Sequence, residues 1–320
     1  MLLNADALEH HLTWPALIEA LQKIFTTTVH APVRHHHFMD VPNAPQATLL
    51  LMPAWVEGQY LGVKQVSVFP GNNAKGLPGL TSLYTLSSGL TGETLAQMDG
   101  NILTARRTAA ASALASSFLS RAKSRTMLMV GAGRMGHYLV PAHMSVRPID
   151  TVFIWDRDEA QAERFAQTLQ TQGLVARACQ RDELPDIAAT VDLISCATMA
   201  NEPVISGDWL RPGTHVDLVG SFTPTMREAD NLAMQRSHVF VDTRAGALAE
   251  TGDLIQPIQE GAFNEQDIIA ELTELCGGSH QGRQQLADPD SAITLFKSVG
   301  DSREDLAAAI LAYTASTQPN

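Results

Sequence analysis

The segment 126-TMLMVGAGRMGHYLV-140 sets Gly131, Gly133 and Gly136 in a G-x-G-x-x-G pattern, directly after an apolar strand-like run and at the start of a helix-like one. Few backbone paths satisfy that arrangement. The first glycine permits a tight turn, the second lets a pyrophosphate approach the backbone, and the third lets helix and strand pack closely. The phosphates then sit at the positive end of the helix. Asp156 closes the next strand-like run twenty residues after Gly136, where a carboxylate accepts from ribose hydroxyls. Together these features predict a dinucleotide-binding βαβ unit rather than three glycines in an ordinary turn. Pro141 is discordant: it lies several residues into the expected helix and should bend or shorten it.

The choice of dinucleotide stays open. Asp156 favours NAD, because a carboxylate repels a 2′-phosphate; Arg157, the next residue, can hold that phosphate, and Asp158 argues against it again. The expected cofactor is NAD(P)H, with NAD versus NADP undecided.

Around this unit the chain alternates strand and helix. Strands are expected at Thr126–Val130, Thr151–Trp155, Val191–Ala197, His215–Val219 and His238–Asp242, with a helix from near Arg134 and another over Asp158–Gln172 stopped by Gly173. Such alternation implies a doubly wound parallel sheet covered on both faces. The first 120 or so residues read differently. A helix over 13–28 has Thr13 as N-cap and Pro15 in its first turn, and strands follow at Thr48–Met52, Leu61–Phe69 and Leu80–Leu86. The apolar tail DLAAAILAYTAS is too short to form a domain and is expected to pack back on the N-terminal part.

Size and charge bound the function. A chain of 320 residues suggests two domains, and a formal net charge of −12 is the wrong sign for a general nucleic-acid binder. No basic region precedes an apolar run at the start, and no stretch approaches the ~18 apolar residues of a membrane span. Cys179, Cys196 and Cys276 are odd in number and scattered, which fits a reduced cytoplasmic protein.

The informative residues of the first half are basic. Arg106 and Arg107 are expected to open an Ala/Ser-rich helix, against the helix dipole, which makes sense if an anion lies there; the alternative is that both are solvated surface groups. Arg34 and Lys64 are the other basic candidates. Adjacent side chains of a strand point to opposite faces, so His35, His36 and His37 cannot easily share one ion, and no metal site is expected. One of the three facing a substrate cleft is the preferred reading.

The stretches GVKQVSVFPGN, LTGETLAQMDGNILTARRTAAASALAS, VGAGRMG, CATMANEPV and TLFKSVG closely resemble the ornithine cyclodeaminase/mu-crystallin family, over nearly the whole chain. The resemblance implies an α/β chain in which a Rossmann-type domain (123–299) is inserted into an α+β substrate and dimerisation domain (1–122, with 300–320 returning to it), and a homodimer. It implies Arg34 and Arg107 as the pair that holds a substrate carboxylate and Lys64 as the catalytic lysine. Gly131, Gly133, Arg134, Met135 and Gly136 resemble the pyrophosphate loop, Asp156 and Arg157 the ribose site, and Thr108 a phosphate-side contact. Ala197, Thr198 and Met199 resemble the loop over the adenosine side, and Val219, Lys297 and Ser298 the lining of the nicotinamide.

The family holds several activities, and one position separates them. Cyclodeaminases carry an aspartate in a GGDCPGK-like motif; counting back from Pro224 in 219-VGSFTPTMREAD-230, that position is Phe222, which can neither bind an ammonium by charge nor act as a base. The GSFTP-x-MRE form is similar to that of reductases of cyclic ketimines. The expected activity is therefore NAD(P)H-dependent reduction of Δ1-pyrroline-2-carboxylate or Δ1-piperideine-2-carboxylate, to L-proline or L-pipecolate. The alternatives are an ornithine cyclodeaminase or alanine dehydrogenase-like enzyme, and a non-catalytic, cofactor-dependent binding protein of mu-crystallin type.

Overall fold

The computed structural model describes residues 1–317, the side chain of Asn73 apart. The chain divides into two compact units, Met1–Thr108 with Asp301–Asn320, and Ala109–Gly300. The first contains β1 (Leu2–Leu3), α1 (Ala5–His11), α2 (Trp14–Phe25), β2 (His35–Met39), β3 (Ala47–Val56), β4 (Tyr60–Val68), β5 (Leu80–Ser88), β6 (Thr94–Asp99) and the start of α3 (Gly100–Leu119). The second continues through β7 (Thr126–Val130), α4 (Arg134–Met144), β8 (Thr151–Trp155), α5 (Glu159–Thr171), β9 (Val175–Ala178), α6 (Leu184–Ala188), β10 (Leu193–Cys196) and β11 (His215–Leu218). It ends with α7 (Asn231–Arg236), β12 (His238–Val241), α8 (Arg244–Glu250), α9 (Gly252–Gln259), β13 (Ile268–Glu271), α10 (Leu272–Gly277) and β14 (Thr294–Lys297). Helix α11 (Ser302–Thr317) returns to the first unit. The division between units falls inside α3, where the sequence reading had set it at 122/123.

In the first unit the sheet order is β1-β6-β5-β4-β3-β2, antiparallel except for the β1–β6 pair. The period-2 alternation of strands sorts side chains to two faces. Met52, Lys64, Tyr84 and Met98 pair in one row across β3 to β6, and all four are buried. Helix α11 packs on this face, with α2 against it. The other face carries Leu51, Pro53 and Val63, half-buried, beside exposed Leu61 and Leu83.

Helix α2 buries Leu17, Leu21, Ile24 and Phe25, one stripe at i, i+4, i+7 and i+8. It stops three residues short of the expected end because the hydroxyls of Thr26 and Thr27 bond back to the Lys23 carbonyl and compete with the next turn. The histidine run forms edge strand β2; His35 and His37 share one face and His36 the other, all exposed. The expected register of Arg106 and Arg107 is corrected. Helix α3 starts at Gly100, with Asp99 accepting from Ile102 N at 2.9 Å, so an acid occupies the positive end and the arginines lie a turn further on.

The second unit is a parallel sheet of order β13-β12-β14-β11-β10-β7-β8-β9. Its β9-β8-β7-β10-β11 portion runs 3-2-1-4-5, the doubly wound order, with the switch point between β7 and β10. Fully buried Leu128, Val130, Ile194, Cys196, Val216 and Leu218 make the continuous apolar strands such a sheet requires. Helix α4 runs through Pro141 to Met144, one turn beyond it. Helix α5 is capped by the Asp158 carboxylate and followed by Gly173 at φ +86°, as the sequence suggests. Strands β1, β2, β6, β9, β13 and β14 have no counterpart among the expected elements; most are short.

Candidate functional site

In the first unit a row of buried charges lies between the sheet and α11. Lys64 projects from β4 and is 2% exposed; its Nζ is 2.7 Å from Asp305 Oδ2. Arg107, on α3, donates through Nε to Asp305 Oδ1 at 2.9 Å and through Nη1 to Glu304 Oε2 at 2.6 Å. Glu304 and Asp305 are fully buried in the first turn of α11, where the helix dipole favours acids. Tyr84, opposite Lys64 on β5, is 1% exposed, and its hydroxyl has no hydrogen-bond partner among the described residues.

The electrostatics follow from burial and neighbours. Burial drives the Lys64 ammonium down to about 8; Asp305 opposes this, while Arg107 and Arg34 add to it. Asp305 is held below the usual carboxylate range by Arg107 and Lys64, against its burial. The paired carboxylates keep Arg107 charged at any accessible pH despite its burial.

Arg34 is half-buried just before β2, and its charge reaches Lys64. Arg107 follows its neighbour into the interior, so neither arginine is a surface group. Arg106 donates to the Leu12 carbonyl at 2.7 Å, pairs with Glu9 and stacks on Trp14. That is a packing role. Arg107 is also no open fork: two of its nitrogens are committed to acids, and Nη2 is the one with no protein partner among the described residues. Thr108 follows, half-buried, at the end of the first unit.

The second unit holds the glycine turn after β7. Gly131 has φ +106° and donates to Trp155 O at 2.7 Å; a Cβ there would lie 2.6 Å from the Ala197 carbonyl. A Cβ on Gly136 would lie 2.6 Å from the Gly131 carbonyl and 3.3 Å from Phe165. Gly133 is different. It is the N-cap of α4, has no side chain to cap the first turn, and a Cβ on it would meet only Gln161 Nε2 at 3.8 Å. The cradle is thus closed at its flanks and open over the helix N-terminus, the form a pyrophosphate requires.

Asp156 directly follows β8 and accepts from Ala132 N at 2.7 Å and from Asp158 N at 2.9 Å, so its carboxylate is fixed beside the turn. Arg157 is exposed beside it; Arg134 and Met135 open α4. These residues fit a dinucleotide.

Ala197, Thr198 and Met199 follow β10, across the switch point from the glycine turn, and Met199 is 80% exposed. Val219 follows β11, half-buried, and exposed Phe222 lies three residues on. The two expected nicotinamide-side residues that follow in sequence are both buried. Lys297 is fully buried, its Nζ 3.1 Å from Leu218 O and 3.3 Å from Asp253 Oδ2, and Ser298 is 3% exposed.

Sequence reasoning missed the acids. Asp305 and Arg107 lie 198 residues apart, and two acids opening a helix look like ordinary dipole partners. It also missed Glu228. Oε1 of that buried side chain accepts from Thr198 N at 2.7 Å and Thr198 Oγ1 at 2.9 Å; Oε2 accepts from Gly220 N at 2.6 Å. One carboxyl therefore ties the loops after β10 and β11. Burial pushes it up to about 7, against the pull of Lys297.

The family model for the ornithine cyclodeaminase/mu-crystallin family matches residues 1–318. The chain belongs to this family. It is 51% identical to an uncharacterized protein of Schizosaccharomyces pombe, over 97% of this chain and 96% of that one. It is 37% identical to the Δ(1)-pyrroline-2-carboxylate reductase of Paracoccus denitrificans, over 92% of this chain and 90% of that one. Among solved structures, the Thermococcus litoralis Δ(1)-pyrroline-2-carboxylate reductase in complex with NADH and L-proline superposes with a TM-score of 0.89 at 33% identity. That match covers 99% of this chain and 97% of the other. A family of nicotinamide-binding enzymes accounts for the parallel sheet and its glycine turn. No helix among the described residues is long and apolar enough to cross a membrane.

Proposed function

We propose that the chain is an NAD(P)H-dependent oxidoreductase acting on a C=N bond, which reduces Δ1-pyrroline-2-carboxylate to L-proline, Δ1-piperideine-2-carboxylate to L-pipecolate, or both. The observation that carries this reading is Lys64: a buried ammonium driven down to about 8, beside Arg107 and Asp305. A cyclic imine accepts a hydride poorly until its nitrogen is protonated. A donor that titrates near neutrality is matched to that task. Arg34 and Arg107 Nη2 supply charge-assisted donors for the substrate carboxylate. Gly131, Gly133, Gly136 and the α4 N-terminus would hold the pyrophosphate, and Asp156 the adenosine ribose, which favours NADH over NADPH. The bound dinucleotide supplies the hydride; the protein orients the substrate and moves the proton.

The T. litoralis relative with NADH and L-proline supports this substrate class and NADH. Phe222 supports reduction over cyclodeamination: the exposed ring offers no charge to an ornithine side-chain ammonium. We assign the protein to the cytoplasm and infer a homodimer, with the sheet face opposite α11, where Leu61 and Leu83 are exposed, covered by a second copy.

The test is the pH dependence of ketimine reduction. If protonated Lys64 gives up the proton, kcat/KM falls as pH rises through about 8, because the protonated fraction falls there. A Lys64→Met variant should lose the limb along with most of the rate. A flat profile from pH 6 to about 9 in the wild type would remove Lys64 from the proton transfer.

A further inference from the structure

We propose that Asp305 is a positioning residue for this reaction: by bridging Lys64 Nζ and Arg107 Nε, its carboxylate holds the proton donor and the carboxylate clamp in one orientation. The proposal rests on the functional reading of Lys64 and Arg107 given above. Its own basis is geometric. Each oxygen of the carboxylate has one basic partner, Oδ1 facing Arg107 at 2.9 Å and Oδ2 facing Lys64 at 2.7 Å. Glu304, the preceding residue, takes the second nitrogen of the same guanidinium, which leaves Nη2 as the nitrogen with no protein partner among the described residues.

Fixing α11 to the sheet alone would not require buried charge, since apolar side chains of similar volume serve as well or better. Four charged side chains here are each at most 5% exposed. Their arrangement also leaves the Tyr84 hydroxyl buried and unpartnered, within reach of the Asp305 charge. A polar atom left bare in a buried cluster is costly unless a ligand or water completes it. Tyr84 stays neutral, its ionisation pushed well up by burial and by Asp305, so it can donate.

The groups facing Lys64 are Tyr84 from β5, Arg107 from α3, Arg34 from the segment before β2, and Asp305 from α11, with Glu304 behind Arg107. Asp305 is the acid in direct contact with the ammonium. Removing its charge leaves burial and two guanidinium groups to act unopposed, and all three lower the lysine.

The experiment is the pH profile of kcat/KM for ketimine reduction in the wild type, Asp305→Asn and Asp305→Glu, with thermal unfolding followed in parallel. In Asp305→Asn the high-pH limb should move down by about one unit or more, and KM for the ketimine should rise about tenfold. Asp305→Glu keeps the charge: its limb should stay within about half a unit of the wild type while KM rises, because the longer arm no longer matches both nitrogens. A limb unmoved in Asp305→Asn, whatever the loss of rate, overturns the proposal. Should that variant fail to fold, a limb displaced in Asp305→Glu overturns it instead. A wild type that reduces no ketimine faults the functional reading, whereas a wild-type limb indifferent to residue 305 faults only the role of Asp305.

Discussion

Arg107 shows how one side chain can serve both fold and function. Its Nε and Nη1 neutralise two buried acids, and its Nη2, with no protein partner among the described residues, is the donor that the proposed function gives to the substrate carboxylate. Arg107→Ala therefore has two expected consequences. Leaving Glu304 and Asp305 uncompensated should cost about 3–5 kcal/mol of stability. Loss of the charge-assisted contact should raise the ketimine KM about 10–100-fold with little change in cofactor affinity. Thermal unfolding and steady-state kinetics check the two separately, and an unchanged melting temperature would contradict the buried cluster. Arg106 shows the reverse: adjacent in sequence and equally basic, it is spent on Glu9, the Leu12 carbonyl and Trp14. Nothing in the local sequence separates the two, since the difference lies in which distant acids the fold brings to each.

The glycine turn and α4 make a sharper test, because the three glycines are required for different reasons. Gly133→Ala adds a methyl into open space at a backbone conformation alanine tolerates, so the fold should keep its stability while the pyrophosphate path is obstructed. Gly136→Ala drives a methyl against the Gly131 carbonyl, a backbone atom, and should cost about 1–3 kcal/mol as well as cofactor binding. Denaturant melts beside NADH titrations distinguish the pair; equal destabilisation would contradict the assigned geometry. This turn was readable from the sequence because its parts are local: strand, turn, helix and Asp156 lie within one βαβ unit. The apolar strands β7 and β8 and the helices α5 and α11 were readable for the same reason. Strands β9 and β13 were not: they are the two edges of the sheet, and VARA and IIAE offer no sustained apolar run, unlike the equally short interior strands β10 and β12. The partner of Lys297 was equally hidden: its position in the chain says where the strand ends, and only the fold brings Asp253 to it.

For the whole molecule, the six-stranded sheet is covered by helices on the Lys64 face and leaves Leu51, Pro53, Val63, Leu61 and Leu83 on the other. Gln65, Thr85 and Gln97 stand among them, the mixed apolar and polar lining of an interface between folded subunits. If the proposed homodimer uses this face, Leu83→Glu should convert a species of twice 34.5 kDa to a monomer by light scattering, and a wild type already monomeric at micromolar concentration would contradict the proposed dimer. At this scale the proposed function has Arg34, Arg107, Lys64 and the dinucleotide turn serve reduction of a cyclic imine. Its most direct test is oxidation of NADH and of NADPH by the purified protein with the five- and six-membered ketimine carboxylates, beside an ammonia-release assay on ornithine. Rapid oxidation with at least one ketimine, faster with NADH because of Asp156, and no ammonia from ornithine is the predicted result. Conversion of ornithine to proline with ammonia release, and no reduction of either ring, would contradict it.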